Sequence, residues 1–174
     1  MDTNERLSAL EVALNNEMRE HEFYLKNADR TKNALGKQMF ARIAEDELEH
    51  YERLKKLHAE WEKQGRWPQD LPLEVKGTRL EGALINTIKN VNTESVHDRD
   101  DLEAIRTAID FEAKGEAFYH KLRDAVTDQK EKAFFDLLSR IEHEHYLSLQ
   151  EAEEFLIDPA GFYRRMEHLN VDGG

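Results

Sequence analysis

The chain has 174 residues, about the length of one domain and enough to enclose a hydrophobic core. Charged residues make up 36% of the chain, and it contains only 8 glycines and 3 prolines. This composition is typical of proteins with long helices. The formal net charge of −12 argues against binding to nucleic acid or to an anionic membrane, and the absence of cysteine excludes disulfides, a thiolate nucleophile, iron–sulfur clusters and a four-cysteine metal site.

Four long segments have apolar residues at helical spacing, and they predict an all-α protein. The first two predicted helices run from about 4 to 28 and from about 34 to 63. The third and fourth run from about 102 to 125 and from about 129 to 156. The loop inside each pair is short, so each pair is expected to form an antiparallel hairpin.

The segment between the hairpins, about 64–101, is long and begins with Pro68 and Pro72. ALINTIKNV at 83–91 is a candidate short helix within it. A helix of about 30 residues is about 45 Å long, and a linker of this length can run alongside it to make the second and third helices parallel. That crossover is typical of ferritin-like bundles rather than of an up-down-up-down bundle.

The predicted fold is therefore an all-α, ferritin-like four-helix bundle of two repeated antiparallel hairpins joined by a long crossover. The hairpins cover about 4–63 and 102–156, within one domain at 1–157. A tail at 158–174 begins with a proline that can open a short C-terminal helix. The first residues, MDTNERLSAL, lack the basic and apolar regions of a signal peptide, and no apolar run approaches a membrane span, so we expect a soluble, cytoplasmic protein with no membrane contact.

The two hairpins repeat one sequence pattern at an offset of 95 residues. EMREHEFY at 17–24 matches EAKGEAFY at 112–119, and ELEH at 47–50 matches EHEH at 142–145. Each copy thus has a Glu on its first helix and a Glu-x-x-His on its second. In each hairpin these glutamates are equally distant from the turn, so two hairpins packed face to face bring them to one layer of the bundle.

This layer predicts a dinuclear metal site. The six candidate ligands are Glu17, Glu47, His50, Glu112, Glu142 and His145. Carboxylate oxygens and imidazole nitrogens suit iron, manganese or zinc, and the i, i+3 spacing places each Glu and His on one helix face. Four buried carboxylates without cations would be very costly, and two divalent ions balance them. Six ligands shared by two metals leave open positions for a small oxidant.

Several other candidate residues also fit structural or surface roles. Glu94-Ser-Val-His97 has the same spacing but lies in a polar stretch with no repeat copy, so a loop or helix-entry role is favoured. Tyr24 and Tyr119 are either core tyrosines or partners of the ligand carboxylates, through a hydrogen bond or as an electron relay. Surface roles are favoured for the histidines off the ligand stripes, which are His21, His58, His120, His143 and His168.

At these residues the chain resembles the rubrerythrin-like branch of the ferritin-like diiron-carboxylate superfamily, over about 7–156. The resemblance implies that Glu47 and Glu142 bridge two irons, that Glu17 and Glu112 are terminal ligands, and that each histidine binds one iron. It also implies reduction of hydrogen peroxide, or reaction with dioxygen, at a diferrous centre. A homodimer is expected on the same ground.

Two departures from the family pattern affect these expectations. Rubrerythrins carry a rubredoxin domain with a four-cysteine iron site, whereas this chain has no cysteine, so a separate protein (a rubredoxin-like or flavin-containing donor) is expected to supply electrons. Rubrerythrins also carry an extra Glu where this chain has Gly115. The repeat equivalent of Gly115 is Glu20, for which we hypothesise a seventh-ligand or proton-handling role, the alternative being an exposed or rim glutamate.

Three other functions remain open at the level of the sequence. The same ligands would serve a ferroxidase or iron-handling protein, which turns over iron itself. They would also serve a manganese catalase-type enzyme. A purely structural metal site is disfavoured because structural sites usually satisfy the metal completely.

Overall fold

The computed structural model describes residues 1–65, 67, 99–162 and 164–165, and the structural statements below concern these residues. Several sequence-based predictions lie outside them, namely the short helix at 83–91, Pro68, Pro72, the Glu94–His97 pair and His168.

Four long helices form the described chain. They are α1 (Thr3–Arg30), α2 (Ala34–Gln64), α3 (Arg99–Ala125) and α4 (Gln129–Ile157). The predicted helices agree with these bounds to within about three residues. The all-α fold and the two hairpins are thereby confirmed, and beyond α4 residues 159–162 and 164–165 are helical, as predicted for the start of the tail.

Local signals at the helix ends explain where the helices begin and end. Asp2 caps α1 through a capping box with Glu5, and Asn33 and Asp128 accept backbone N–H groups at the starts of α2 and α4. Gly65 ends α2 with φ of 64°, a left-handed conformation that favours glycine.

Contacts between the hairpins establish the topology. Tyr24 on α1 contacts Glu112 on α3, and Tyr119 further along α3 contacts Glu17 nearer the start of α1, so α1 and α3 are antiparallel. Because α1 is also antiparallel to α2, helices α2 and α3 run parallel. This is the crossover arrangement predicted from the length of the linker, and it makes the bundle ferritin-like.

The apolar core consists of two clusters with a polar layer between them. One cluster includes Phe40, Ile43 and Leu149, and the other includes Leu54 and Leu138. Trp61 and Trp67 are both buried in the second cluster, where the Trp67 ring lies 5.5 Å from that of Phe134. Among the described residues no helix is both long enough and apolar enough to cross a membrane.

Candidate metal centre

The polar layer contains two overlapping groups of four side chains. The first, which we call the His50 subsite, comprises Glu17, Glu47, His50 and Glu142. The second, the His145 subsite, comprises Glu47, Glu112, Glu142 and His145. In each group, one ligand atom from every residue lies within 4.8 Å of the others. The structure thus brings all six predicted ligands together, and two carboxylates, Glu47 and Glu142, belong to both groups.

The helical period explains why these side chains point inward. The Glu and the His of each Glu-x-x-His pair lie on the same face of their helix as its apolar core residues, so both side chains point into the bundle. All six are at most 2% exposed. Such a concentration of carboxylates inside a bundle is stable only if protons or cations balance the charge.

Both histidines direct Nδ1 into the carboxylates. The Nδ1 atom of His50 lies 3.0 Å from Glu17 Oε2 and 3.3 Å from Glu47 Oε2. The Nδ1 atom of His145 lies 3.2 Å from Glu47 Oε1 and 3.3 Å from Glu112 Oε2. The two rings are stacked with centroids 6.1 Å apart. Nδ1 is therefore the nitrogen of each imidazole that faces the carboxylate cluster.

The donor atoms fit a pair of divalent cations. Both oxygens of Glu47, both oxygens of Glu142, Oε2 of Glu112 and Nδ1 of His145 are buried and lack a hydrogen-bond partner within the described chain. Buried polar atoms are nearly always satisfied, so a cluster of unsatisfied acceptors needs a ligand. Oxygen donors with one imidazole per subsite are the set that iron and manganese accept, and zinc binds them as well.

Tyr24 and Tyr119 connect the two hairpins at this layer. The Tyr24 hydroxyl donates to Oε1 of Glu112, and the Tyr119 hydroxyl donates to Oε1 of Glu17. Both rings are buried, and burial followed by the charge of the partner carboxylate raises the pKa of each phenol well above its usual value. Each tyrosine therefore stays protonated and holds one carboxylate in place, leaving the second oxygen of that carboxylate for the metal.

Burial and mutual repulsion alter the acidity of the carboxylates. Burial raises the pKa of Glu17 to about 7, although the charge of His50 opposes this. Burial and then the charge of Glu47 raise the pKa of Glu142 well above its usual range. Burial also acts to raise the pKa of Glu47, but the charge of His50 and the close approach of both imidazoles outweigh it and lower the pKa. In the metal-free site, protons are thus shared unequally among the carboxylates.

Burial acts on the pKa of each imidazole in the opposite direction from its effect on the carboxylates, but neighbouring negative charge outweighs it. Burial alone would lower the pKa of His50, but the negative charge of Glu17 and Glu47 raises it to about 10. The pKa of His145 is likewise raised well above its usual value, because the charge of Glu112 outweighs burial. Without a metal, imidazolium ions balance part of the negative charge.

Glu20 is buried at the edge of the same layer. Its side chain is 5% exposed, and its pKa is raised to about 10 by burial and then by the charges of Glu47, Glu17 and Glu112. Glu20 belongs to neither group of four. The structure therefore places it as a protonated carboxyl beside the predicted ligands, and an exposed position is excluded.

Gly115, the repeat equivalent of Glu20, lies against a ligand. A Cβ at position 115 would lie 2.8 Å from Oε2 of Glu142 and 3.3 Å from its Cδ. The side chain of Glu142 thus occupies the space next to the backbone at position 115. The two copies of the repeat therefore differ at this layer, since only the α1 copy carries a carboxyl here.

Sequence reasoning missed one polar residue of the site. Asp46 is 5% exposed, and its Oδ2 lies 3.2 Å from Nε2 of His145. A signal was available, because Asp46 lies four residues before His50 on the inward stripe of α2, while its repeat equivalent is the apolar Ile141.

The remaining described histidines lie outside the two groups. His143 is exposed and contacts Glu116 at 3.1 Å, in agreement with a surface role. His58 and His120 are partly exposed. His21 is also partly exposed, and its Nδ1 donates to the Ala44 carbonyl at 2.7 Å, which links α1 to α2.

Comparisons with known proteins agree with the geometry. A family model described as Rubrerythrin matches residues 8–153. Among solved structures, a protein from Pyrococcus furiosus titled hypothetical is 25% identical, with a TM-score of 0.65 over 87% of this chain and 90% of that one. A search of curated proteins gave no match.

Proposed function

Because the chain belongs to the rubrerythrin family, we propose that it is a non-haem diiron oxidoreductase that reduces hydrogen peroxide to water. The observation that carries the proposal is the pair of overlapping ligand groups sharing Glu47 and Glu142. The shared carboxylates would hold both metal ions, and a pair of metal ions at one site can supply the two electrons that one small oxidant needs. Peroxide takes up two electrons and two protons to give two water molecules.

When bound, two ferrous ions would supply those two electrons. Glu47 and Glu142 would contact both ions, and Glu17 and Glu112 would each contact one, with their orientation fixed by Tyr119 and Tyr24. The six ligands leave positions at which a molecule as small as peroxide or dioxygen can bind. The apolar clusters on both sides exclude bulk water and larger reductants from the layer.

Glu20 is proposed to handle a proton for this reaction. Its pKa of about 10 keeps the carboxyl protonated near neutral pH, a few residues from the terminal ligand Glu17, so that it can donate to a departing oxygen. Glu20→Ala and Glu20→Gln are expected to slow peroxide turnover by about 100-fold, the lower end of the range for general acid catalysis. Unchanged turnover with an unchanged metal spectrum in Glu20→Ala would remove this role.

Electrons to restore the ferrous state are proposed to come from a separate protein, rubredoxin-like or flavin-containing. The chain has no cysteine to hold a rubredoxin-type iron, so no such centre can lie within it. A homodimer is proposed from family membership, and its size is measurable by light scattering.

The decisive experiment is anaerobic loading with ferrous iron, followed by stoichiometric peroxide or dioxygen under optical spectroscopy. Two irons per chain, fast oxidation by peroxide and slower oxidation by dioxygen are expected. Glu142→Gln should abolish the second iron, whereas Glu144→Gln, which changes an exposed residue one position beyond His143, should bind and react like the wild type.

Each competing function gives a different result. Iron uptake well beyond two per chain, with a large hollow assembly, would indicate a ferroxidase or storage protein. Peroxide disproportionation only after manganese loading would indicate a catalase-type enzyme. Failure to bind iron or manganese would refute the proposed site altogether.

A further inference from the structure

The two ligand histidines differ in what their outer ring nitrogens contact. Nε2 of His145 lies 3.2 Å from Oδ2 of the buried Asp46. Nε2 of His50 is also buried, but it has no hydrogen-bond partner among the residues that the structure describes. In the part of the chain that the structure describes, one subsite therefore has a carboxylate behind its imidazole and the other has none.

The internal repeat shows where this difference originates. Asp46 and Ile141 hold equivalent positions, each four residues before a ligand histidine. Ile141 is 2% exposed, and its side chain offers no hydrogen-bond acceptor. Glu17 and Glu112, in contrast, each accept a hydrogen bond from a tyrosine hydroxyl, so both subsites have the same kind of tyrosine contact.

An imidazole that binds a metal through Nδ1 carries its proton on Nε2. In His145 this N–H donates to Asp46, which fixes the tautomer and ring orientation and makes Nδ1 more basic. In His50 the same N–H is buried with no acceptor among the described residues, and a buried unsatisfied donor lowers the stability of the arrangement that contains it.

We propose that Asp46 is a positioning residue that makes the two metal subsites inequivalent, so that the His145 subsite fills before the His50 subsite. This inference rests on the proposed dinuclear site and deepens it by assigning an order of filling. Removal of such outer hydrogen-bond partners typically weakens metal binding 10- to 100-fold, so the two dissociation constants are expected to differ by about that factor.

The test is a titration of the metal-free protein with Co²⁺, followed by visible absorption and calorimetry. Co²⁺ accepts the same oxygen and nitrogen donors and gives a spectrum for each occupied subsite. The wild type is expected to bind in two resolved steps. His145→Ala should remove the tighter step, and His50→Ala should remove the weaker one.

Two reciprocal substitutions exchange the character of the subsites. Asp46→Ile copies the second repeat into the first and should weaken the tighter step by about 10- to 100-fold, bringing the two steps together. Ile141→Asp makes the opposite change and should tighten the weaker step. Glu45→Gln, at the exposed neighbour of Asp46, is the matched control and should leave both steps unchanged.

The outcomes separate this inference from the proposed function. Two equal steps in the wild type, or unchanged steps in a folded Asp46→Ile protein, would overturn the inequivalence and leave the dinuclear site intact. Absence of Co²⁺ binding would overturn both. Circular dichroism shows whether the Asp46→Ile protein is folded. If it is not, the His145→Ala titration still tests the order, because loss of the weaker binding step instead of the tighter one would overturn it.

Discussion

At the residue scale, Glu20 is buried with three carboxylates nearby, and this determines how it affects stability. Its pKa rises from 4.5 to about 10 on folding, so between these values the folded chain keeps a proton that the unfolded chain has lost. Stability from this group is therefore fully present at pH values below 4.5 and is lost as the pH rises towards 10. The loss amounts to at most about 1.4 kcal/mol per pH unit for one proton.

Glu20→Gln should therefore make the metal-free protein less sensitive to alkaline pH. A glutamine resembles the protonated carboxyl and cannot ionise, so the variant gains stability over the wild type as the pH rises from about 6 to about 9, by one to a few kcal/mol. Urea denaturation of chelator-treated protein at several pH values measures this. Glu22→Gln, at an exposed position of the same helix, should follow the wild type, and a constant difference between Glu20→Gln and wild type would contradict the expectation.

The two tyrosines allow a second prediction, because each is paired with one terminal ligand only. Tyr119→Phe removes the donor to Glu17 and should weaken metal binding at the His50 subsite, while Tyr24→Phe removes the donor to Glu112 and should weaken the His145 subsite. Loss of one such partner typically costs about 10- to 100-fold in metal affinity. Calorimetric titration of both variants measures which of the two metal-binding steps is weakened. Equal weakening of both steps in either variant would contradict the assignment of one tyrosine to each subsite.

At the scale of the element, α3 carries its glycine where a ligand of α4 approaches. Gly115→Ala should raise the intrinsic helix stability of α3 by about 0.5–1 kcal/mol, because alanine has the better helix propensity. The added Cβ would meet Oε2 of Glu142 at 2.8 Å, so the carboxylate must move away from the position that it shares between the subsites. We therefore expect higher or unchanged stability of the metal-free protein together with weaker metal binding.

Thermal unfolding of the metal-free variant and calorimetric metal titration measure these two effects separately. Ala113→Gly, at an exposed position two residues earlier on α3, provides the opposite control, with lower helix stability and normal metal binding. Normal metal affinity in Gly115→Ala would show that Glu142 can shift without loss.

Much of the structure of the helices was predictable, because the repeat and the helical period are both visible in the positions of individual residues. The spacing of Glu47 and His50, repeated at Glu142 and His145, predicts four inward-facing residues from the sequence alone. The partners of Tyr24 were not predictable, because they depend on which helix of the other hairpin lies opposite. The role of Asp46 was missed for the same reason, since the hydrogen bond crosses from α2 to α4.

At the scale of the whole molecule, two apolar clusters surround a layer whose charges need compensation. In the metal-free chain, burial and neighbouring charges raise the pKa of Glu17 to about 7 and that of His50 to about 10, and they raise the pKa values of Glu142 and His145 as well. Protons thus take the place of cations near neutral pH. Each of these groups binds more protons in the folded than in the unfolded chain, so the metal-free bundle should lose stability as the pH rises above neutrality.

Metal loading should reverse this dependence, because metal ions displace the protons. Binding of two divalent ions near pH 7 is expected to release at least about two protons per chain, one from each imidazole, and the affinity should increase with pH. The stabilisation by metal, measured as the difference in Tm between loaded and chelator-treated protein, should therefore grow from about pH 6 to about pH 8. Calorimetry in two buffers of different ionisation enthalpy counts the released protons, and a count of zero, or a Tm difference that shrinks with pH, would contradict the balance of charge described for this layer.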